Sequence, residues 1–274
     1  MRSKIIVITG ASDGIGAAAA RQLKLNGHQP FLVGRSPEKT EAIASEIDAP
    51  YAVADFSRLS EVYSLADDIL ARCPTIDVLV NNAGLMAPKH REVTEDGHEL
   101  THQVNYLSAF LLDHLLLDRL RASHATVIAT SSMAHWIGRP NPGVPRRNYS
   151  NWTAYGTSKI DLMLHTQELQ RRHGADLTAV CFHPGVVSTN FSAGSGSLIN
   201  LVYGSPARRI LPVTPEKGAD TMVYLAEATP GTDFTPADYL IRRRPARTRA
   251  CVRDPLLAHT LWRQSEQELG IRHD

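Results

Sequence analysis

The chain has little of what marks secreted proteins and nucleic-acid-binding proteins. Only three cysteines occur in 274 residues, and Cys73, Cys181 and Cys251 lie too far apart to form a C-x-x-C pair. This scarcity predicts a reduced, cytoplasmic protein without a disulfide framework. The formal net charge is only +1, so the sequence has no basic excess for binding nucleic acid or an anionic membrane.

Long hydrophobic runs are also scarce. The start, MRSKIIVITG, contains four consecutive apolar residues, which is too few for the apolar region of a signal peptide. The run AFLLDHLLLDRL is interrupted by Asp113, His114 and Asp118, so we do not expect it to span a membrane. Without repeats or low-complexity tracts, 274 residues with 43% hydrophobic content favour one α/β domain over 1–274.

Short apolar segments alternate with amphipathic segments along the chain. Strands are predicted at 4–9, 30–34, 51–55, 77–81, 125–131, 177–183 and 238–241, because these runs are short, β-branched and apolar on both faces. Helices are predicted at 14–26, 36–47, 58–72, 97–121 and 154–173. This alternation predicts a doubly wound parallel sheet of about seven strands with helices on both faces.

The turn after the first predicted strand is rich in glycine. Gly10, Gly14 and Gly16 in TGASDGIG stand where the chain passes from strand to helix. Glycine there lets the backbone approach a pyrophosphate, and the helix N-terminus supplies N–H donors and a positive dipole end. This indicates a Rossmann-type dinucleotide site. The spacing differs from the common G-x-G-x-x-G, so a turn that needs glycine only for its geometry is the alternative.

Arg35 follows the second predicted strand, where an NAD-binding unit carries Asp or Glu for the ribose 2′-hydroxyl. A guanidinium pairs with a 2′-phosphate, whereas a carboxylate repels it. This position predicts NADP(H) rather than NAD(H). Asp13 in the glycine turn acts in the opposite direction through its negative charge. A solvated surface arginine is the alternative interpretation.

Several short motifs occur in a characteristic order. They are TGASDGIG (9–16), ADF (54–56), NNAG (81–84), Asn105 in HQVNYLSAFLL, TSS (130–132), YGTSK (155–159) and HPGVVST (183–189). Each motif is weak alone, but each stands at a strand end or on an expected helix. With them the chain resembles the short-chain dehydrogenase/reductases over nearly its full length. SSMAHWIG, HPGVVSTNF and LWRQSEQELG are most similar to the branch that includes the retinol dehydrogenases.

The resemblance implies a dinucleotide-binding catalytic domain, without a metal, that transfers a hydride between nicotinamide and an alcohol, aldehyde or ketone. Tyr155 would be the general acid or base, and Ser132, with Ser131 as its competitor, would bind the substrate oxygen. Lys159 would bind the nicotinamide ribose, and Asn105 would hold a water that passes protons to it. The implied cofactor-binding residues are Gly10, Ser12, Asp13, Gly14, Ile15, Gly16, Arg35, Asp55, Phe56, Asn82, Ala83, Gly84, Tyr155, Lys159, Pro184, Gly185, Val187 and Thr189.

Tyr155 and Lys159 are spaced to interact on one helix face, with Cβ atoms about 5–6 Å apart. A cation at that distance favours the tyrosinate by about 3 kcal/mol at an effective dielectric of about 20, or roughly two pKa units. A positively charged nicotinamide ring adds to this effect. We therefore expect a Tyr155 pKa of about 8 or below, in the working range of an acid–base catalyst. A neighbouring pair without function is the alternative.

The segment 190–215 is predicted to form a substrate-binding lid, because it belongs to a long loop region rich in Gly, Ser and Pro. Its apolar residues, Phe191, Leu198, Ile199, Leu201 and Val202, would form the substrate wall. We expect a small to medium, largely apolar alcohol, aldehyde or ketone as the substrate. In many short-chain dehydrogenase/reductases, the helices that correspond to 97–121 and 154–173 pair in a homodimer. The resemblance therefore allows a homodimer here.

Two other functions stay open at this point. HELTH at 98–102 matches H-E-x-x-H, a zinc protease signature with Glu99 as the base. The longer zinc motif has glycine where Asn105 stands, and no third ligand has a recognisable spacing, so two helix-surface histidines are the simpler interpretation. The second alternative function is a non-catalytic NADP-binding regulator. The presence of a complete catalytic set argues against it: Asn105, Ser132, Tyr155 and Lys159.

Overall fold

A central eight-stranded sheet organises the protein in a computed structural model, which describes residues 2–87, 89–140, 149–185 and 213–271. The strands are β1 (Ile5–Thr9), β2 (Gln29–Gly34), β3 (Tyr51–Val53), β4 (Val78–Asn81), β5 (Thr126–Thr130), β6 (Thr178–His183), β7 (Tyr239–Ile241) and β8 (Arg244–Pro245). Their order is β3-β2-β1-β4-β5-β6-β7-β8, and all neighbours are parallel except β7 and β8. The predicted doubly wound α/β fold is therefore confirmed, with β8 as an additional two-residue edge strand.

The helices are α1 (Gly14–Leu25), α2 (Pro37–Ile47), α3 (Leu59–Arg72), α4 (Leu100–His102), α5 (Ser108–Leu115), α6 (Leu117–Ala122), α7 (Asn151–His173), α8 (Pro215–Glu227) and α9 (Pro255–Glu268). The prediction of one continuous helix over 97–121 was wrong. Helix α4 begins only after Glu99, whose carboxylate accepts hydrogen bonds from the backbone N–H groups of Thr101 and His102, and a π-helical turn, Gln103–Leu107, follows it. None of the helices in the described residues has both the length and the apolar character needed to cross a bilayer.

Side chains of the central strands alternate between two buried layers. Val7, Leu79 and Val127 belong to the layer that contains residues of α3, α5, α7 and α9. Ile6 and Val80 belong to the opposite layer, which contains residues of α1 and α8. Burial on both faces explains why these strands have continuous apolar sequences rather than alternating ones. The chain crosses from one half of the sheet to the other between β1 and β4, so a crevice opens at their carboxyl ends, where such folds bind ligands.

The C-terminal helix α9 packs on α5 and α7, the helices considered for dimer pairing. The Trp262 ring lies 4.9 Å from that of Phe110 and 5.4 Å from that of His165, between ring centroids. Tyr106 and Ser265 share a hydrogen bond of 2.6 Å between their hydroxyl oxygens. Helix α9 therefore covers part of the surface of α5 and α7, and their pairing across a dimer is not tested by these contacts. The oligomeric state stays a prediction.

Replacement of Trp262 by alanine is expected to lower the free energy of unfolding by about 3–5 kcal/mol, the usual cost of truncating a buried large aromatic residue. The side chain is only 4% exposed, and the Arg172 guanidinium lies 4.7 Å from its ring centroid. Leu256→Ala on the same helix is the matched control, since Leu256 is 72% exposed and should change stability little. Urea unfolding measures both. Equal effects of the two substitutions would contradict the packing of α9.

Candidate active site

One elongated cavity of about 670 Å³ runs along the carboxyl edge of the sheet. Its walls come from segments that follow six strands, β1 to β6, and from α7. The structure brings these predicted site residues together in its lining: Gly10, Ser12, Asp13, Gly14, Ile15, Arg35, Asp55, Phe56, Asn82, Ala83, Gly84, Ser132, Tyr155, Lys159, Pro184 and Gly185. The volume lies in the range of small-molecule and cofactor sites. The roles of the individual residues stay predictions.

The glycine turn brings the N-terminus of α1 to this cavity. Gly10 has φ +65°, and a Cβ at this position would lie 2.9 Å from the Cα atom of Ala83. A Cβ on Gly16 would lie 2.3 Å from the carbonyl oxygen of Gly10. Both positions therefore require glycine for the geometry of the turn. That geometry places the positive end of the α1 dipole at the cavity, where it favours an anionic group.

Thr9 and Asn82 join the ends of β1 and β4 below the cavity. The Thr9 hydroxyl donates to the carbonyl of Val80 at 3.0 Å and accepts from the backbone N–H groups of Asn82 and Ala83 at 2.9 and 3.0 Å. The Asn82 amide donates to the carbonyl oxygens of Thr9 and Gly10 at 2.9 and 3.2 Å. Asn82 thus positions the glycine turn and also lines the cavity, and its contact with a cofactor stays a prediction.

Charged residues surround the end of the cavity near β2 and β3. Arg35 is exposed and lines the cavity together with Ser36 and Lys39. Lys39 Nζ lies 3.3 Å from a carboxylate oxygen of Asp13, whose other oxygen accepts from the Gly14 N–H at 2.7 Å. Asp55, also at this end, accepts a 2.9 Å hydrogen bond from the N–H of Ser57. Lys39 therefore offsets part of the negative charge that Asp13 brings to the site.

Ser132 and Tyr155 meet at the other end of the cavity. The Ser132 side chain accepts a hydrogen bond from the Ala134 N–H at 3.2 Å and is hydrogen-bonded to the Tyr155 phenol. Ser131, the competing candidate, instead donates to the carbonyl of Lys159 at 3.4 Å and is only 2% exposed. This arrangement supports Ser132 rather than Ser131 as the serine that binds a substrate oxygen.

Burial changes the acid–base properties of Tyr155 and Lys159. Burial raises the pKa of Tyr155 to about 12, although the hydrogen bond with Ser132 lowers it in part. The prediction of a Tyr155 pKa of about 8 or below is therefore wrong when only the groups of the protein act on Tyr155. Lys159 Nζ lies 5.6 Å from the centroid of the Tyr155 ring and donates to the carbonyl of Thr130 at 2.9 Å. Burial lowers the pKa of Lys159 to about 8.

Asn105 lies at the centre of the π-helical turn and is 1% exposed. Its Oδ1 accepts from the N–H of Leu85 at 2.7 Å, and its Nδ2 donates to the carbonyl of Leu85 at 2.9 Å and to the hydroxyl of Ser158 at 3.0 Å. A π-turn inside a helix is frequently found at functional sites. These contacts fix the segment after β4 against α7, next to Lys159. The predicted water-holding role of Asn105 stays a prediction.

The segment after β6 carries the remaining predicted positions. Pro184 and Gly185 line the cavity, and Gly185 has φ +91°. Val187 and Thr189, as well as 190–212 of the predicted lid with its apolar wall, lie outside the described residues. The last residues of the lid prediction belong to the start of α8, where Thr214 caps the helix by accepting from the N–H of Lys217. The lid itself stays a prediction.

The HELTH segment does not have the geometry of a helical zinc motif. His98 precedes α4, and the Glu99 carboxylate is engaged by the backbone N–H groups at the start of this helix and by the Tyr149 hydroxyl at 2.9 Å. His102 is buried rather than on the helix surface, and it lies 3.4 Å from Asp161 and 3.8 Å from Glu268. No group of three or more potential metal ligands occurs among the described residues. The histidine is part of a buried ion network.

Several residues at the site had no recognisable sequence signal. Lys39 pairs with Asp13, but lysine is common on helix surfaces. Thr130 belongs to the TSS motif, but nothing in the sequence showed that its backbone carbonyl accepts a hydrogen bond from Lys159. The apolar wall contributed by Met133, Ile137 and Trp152 was also missed. SSMAHWIG was noted as a motif, but nothing in its sequence showed that Met133 and Ile137 face the cavity. These contacts depend on the tertiary arrangement of segments far apart in the chain.

A nicotinamide dinucleotide suits the donor groups of this cavity. The N-terminus of α1 offers a positive dipole end for a pyrophosphate, and Arg35 offers a guanidinium for a ribose phosphate. Lys159 offers an ammonium group at the opposite end, next to Tyr155. Gly10 carries no Cβ, and a Cβ there would lie only 2.9 Å from the Cα atom of Ala83, so the turn requires glycine beside the cavity. The residues present therefore fit the group that the fold implies.

Comparison with known proteins agrees with this site. The family model described as short chain dehydrogenase matches residues 4–197. A proposed daunorubicin C-13 ketoreductase of Streptomyces sp. (strain C5) is 37% identical, covering 97% of this chain and 93% of that protein. Human retinol dehydrogenase 13 is 33% identical, with 98% and 85% coverage. An alcohol dehydrogenase from Thermococcus sibiricus, solved with 5-hydroxy-NADP, is 25% identical with a TM-score of 0.66, covering 83% of this chain and 92% of that chain.

The extent of the match includes both the glycine turn and the Tyr155–Lys159 pair, so it covers the parts of the chain that form the cavity. The two relatives are similar to this chain over nearly its whole length. The chain belongs to the short chain dehydrogenase family, near its retinol-dehydrogenase-like branch, and is an NAD(P)-dependent oxidoreductase.

Proposed function

We propose that the protein is an NADP(H)-preferring carbonyl reductase or alcohol dehydrogenase that uses Tyr155 as its general acid or base. The observation that carries this proposal is the placement of Ser132, Tyr155 and Lys159 together at one end of a cavity that has Arg35 at the other. The names of the relatives, a ketoreductase and a retinol dehydrogenase, support a carbonyl or alcohol substrate.

Each of the three residues has a separate task in the proposed reaction. The nicotinamide cofactor supplies or accepts the hydride. Ser132 hydrogen-bonds the substrate oxygen through its hydroxyl group and keeps its own proton, while its oxygen accepts from the Ala134 N–H. Tyr155 gives its phenolic proton to the same oxygen during carbonyl reduction and takes a proton from it during alcohol oxidation. Lys159 provides the nearby positive charge that stabilises the tyrosinate.

The walls near Ser132 favour a largely apolar substrate. Met133, Ile137 and Trp152 line the cavity there, and Met133 and Ile137 are 46% and 45% exposed. Large hydrophobic side chains that remain partly exposed at a cavity are typical of sites that bury an apolar ligand. This supports a small to medium, largely apolar alcohol, aldehyde or ketone. A single catalytic domain and a cytoplasmic location stay predictions within this proposal.

A panel of aldehydes and ketones tests the proposed function. Oxidation of NADPH is followed with each compound, and NADH is tested in parallel at the same concentration. We expect NADPH oxidation with apolar carbonyl compounds and much weaker oxidation with small, strongly polar ones. A protein that binds NADPH but oxidises it with no member of a broad panel would contradict the proposal and would revive the regulator hypothesis.

The pH dependence of carbonyl reduction is expected to follow the loss of the proton from the Lys159 ammonium group. Its folded-state pKa of about 8 means that the charged form is fully present well below pH 8 and is lost as the pH rises through that value. Tyr155, with a pKa of about 12, keeps its proton over this range. We therefore expect kcat/KM, measured at saturating NADPH, to decline about tenfold per pH unit above pH 8. A flat profile from about pH 7 to 10 would contradict the role of the ammonium group.

A further inference from the structure

Much of the apolar wall of the cavity belongs to one short turn after β5. Residues 133–138, which we call the wall turn, begin with a 3₁₀ helix and follow directly on Ser132. Met133 and Ile137 from this turn line the cavity together with Tyr155. The position of the wall turn therefore determines how much apolar surface a substrate meets beside the proposed acid.

Two glycine residues bring the wall turn against α7. A Cβ on Gly138 would lie 2.3 Å from the carbonyl carbon of Gly156, and a Cβ on Gly156 would lie 2.4 Å from the carbonyl oxygen of Ala134. Neither position has room for a larger residue, so the backbones of the turn and the helix are in direct contact. The N–H of Arg139 also donates to the Thr157 hydroxyl at 3.0 Å. Helix α7 thus supports the wall turn immediately after the proposed general acid.

A guanidinium from the C-terminal part of the chain also holds the wall turn. Arg249 follows β8 and is partly buried. Its Nη1 donates to the carbonyl oxygen of Gly138 at 2.5 Å and to that of His135 at 3.5 Å. Carbonyl groups at the C-terminal end of a helical turn have no partner within the turn, and basic side chains commonly bind them. Arg249 therefore caps the wall turn from a segment more than 100 residues away in the chain.

This cap has a consequence for the two side chains that form the wall. Met133 and Ile137 are both nearly half exposed, so packing alone fixes them only in part. A hydrogen bond from a guanidinium is about twice as strong as one between neutral groups, and it holds the backbone that carries both side chains. A wall that is ordered before the substrate arrives lowers the entropy cost of binding. This gain reaches only substrates that are long enough to contact the wall.

We propose that Arg249 is a positioning residue that determines substrate specificity, because it fixes the wall turn and thereby favours carbonyl compounds with a long apolar chain over short ones. This inference rests on the proposed carbonyl reduction and adds a residue for substrate selection to it. Arg249 is not among the described residues that line the cavity, so it acts through Met133 and Ile137. Tyr155 and Lys159 are unchanged by its loss, so the effect falls on substrate binding.

The test compares pentanal with nonanal in the native enzyme and in Arg249→Met, which keeps an unbranched side chain and removes the guanidinium. The two aldehydes have the same reacting group and differ only in chain length. We expect the nonanal-to-pentanal ratio of kcat/KM values to fall about three- to tenfold, the range for ordering one side chain on binding. The change should lie mainly in the KM of nonanal. Arg249→Lys keeps the charge without the planar fork and should give an intermediate ratio.

A double-mutant cycle tests whether Arg249 acts through the wall turn. Ile137→Ala shortens a wall side chain and should by itself lower the nonanal-to-pentanal ratio. In the Ile137→Ala background, Arg249→Met should change this ratio by no more than about twofold, because residues that act through one another are not additive. Full additivity of the two substitutions would show that Arg249 does not act through the wall, and it would overturn the proposal.

Arg247→Met is the matched control, because Arg247 is exposed on the same segment and is not among the residues that line the cavity. It should leave the ratio unchanged, and NADPH binding reports on the folding of each variant. A native ratio in both Arg249 variants, or an equal loss with the two aldehydes, would overturn the specificity role and leave the proposed function intact. If Arg249→Met does not bind NADPH, the same two outcomes in Arg249→Lys decide. Failure of every aldehyde and ketone in the broader panel would overturn the proposed function, and this inference with it.

Discussion

Replacement of Tyr155 by phenylalanine is expected to lower turnover by at least about 10²-fold, the lower range for loss of a general acid. The substitution keeps the ring and removes only the hydroxyl group. Tyr155 is 6% exposed and is packed in α7, so the ring should hold its place. Cofactor binding should therefore survive, because Lys159, Arg35 and the glycine turn are unchanged.

The measurement is NADPH oxidation with a substrate found in the panel, together with the NADPH dissociation constant. Tyr106→Phe is the matched control. Tyr106 is also buried, at 0% exposure, and its hydroxyl group is bonded to Ser265, away from the cavity. This control loses one buried hydrogen bond but should keep its turnover within about threefold of native. Near-native turnover in Tyr155→Phe would rule out Tyr155 as the acid.

Because its pKa is raised, Tyr155 is better suited to donate a proton in carbonyl reduction than to accept one in alcohol oxidation. With its pKa at about 12, the phenol stays protonated at neutral pH, which suits donation to a carbonyl oxygen. Alcohol oxidation needs the tyrosinate, which the positive charge of Lys159 stabilises. Within this proposal, the groups of the protein alone favour carbonyl reduction near pH 7, and the loss in Tyr155→Phe should be largest in that direction.

The sheet was predictable from the sequence because its central strands are buried on both faces. Each of the seven predicted strands is present with ends within two residues of the prediction. The eighth strand, Arg244–Pro245, consists of an exposed arginine and an exposed proline. Because it contains no apolar run, no hydrophobic pattern predicted it. Helix breaks were harder to predict. The π-helical turn at Asn105 follows from contacts with Leu85 and Ser158, which are distant in sequence.

The acid–base properties of the site depended on burial, which local spacing does not reveal. The i,i+4 spacing correctly placed Lys159 close to Tyr155, with 5.6 Å between Nζ and the ring centroid. It did not show that both side chains are buried, or that the ammonium group also donates to Thr130. Desolvation disfavours the charged form of each group, which raises one pKa and lowers the other. The same limitation applied to His102, whose partners Asp161 and Glu268 lie on distant helices.

Arg35→Asp is expected to reverse the cofactor preference. One charge-assisted contact with a 2′-phosphate contributes about 1.5–3 kcal/mol, so the native enzyme should prefer NADPH by about 10- to 100-fold. The substitution removes the cation and adds a carboxylate that repels the phosphate and can bind the 2′-hydroxyl of NADH. The ratio of kcat/KM values for NADPH and NADH measures the change, with the same carbonyl substrate in both series.

The charges around Arg35 determine the size of the preference for NADPH over NADH. Asp13 would weaken NADPH binding if its charge were free, but Lys39 lies 3.3 Å from its carboxylate and the Gly14 N–H also donates to it. Both side chains of this pair are about half exposed, so the compensation is partial and depends on ionic strength. We therefore expect the NADPH preference of the native enzyme to decrease as salt increases, while its sign stays the same.

Arg244→Asp is the matched control for the change in net charge. Arg244 is exposed on β8, at the opposite edge of the sheet from β2 and β3, and it does not line the cavity. Both substitutions change the formal charge by two units in the same direction, so a long-range effect of charge would appear in both. We expect the ratio of kcat/KM values for NADPH and NADH to invert in Arg35→Asp. In Arg244→Asp the same ratio should stay within about twofold of native, because charges farther apart than the Debye length are screened. A native preference for NADH, or an unchanged ratio in Arg35→Asp, would show that Arg35 does not contact the 2′-phosphate.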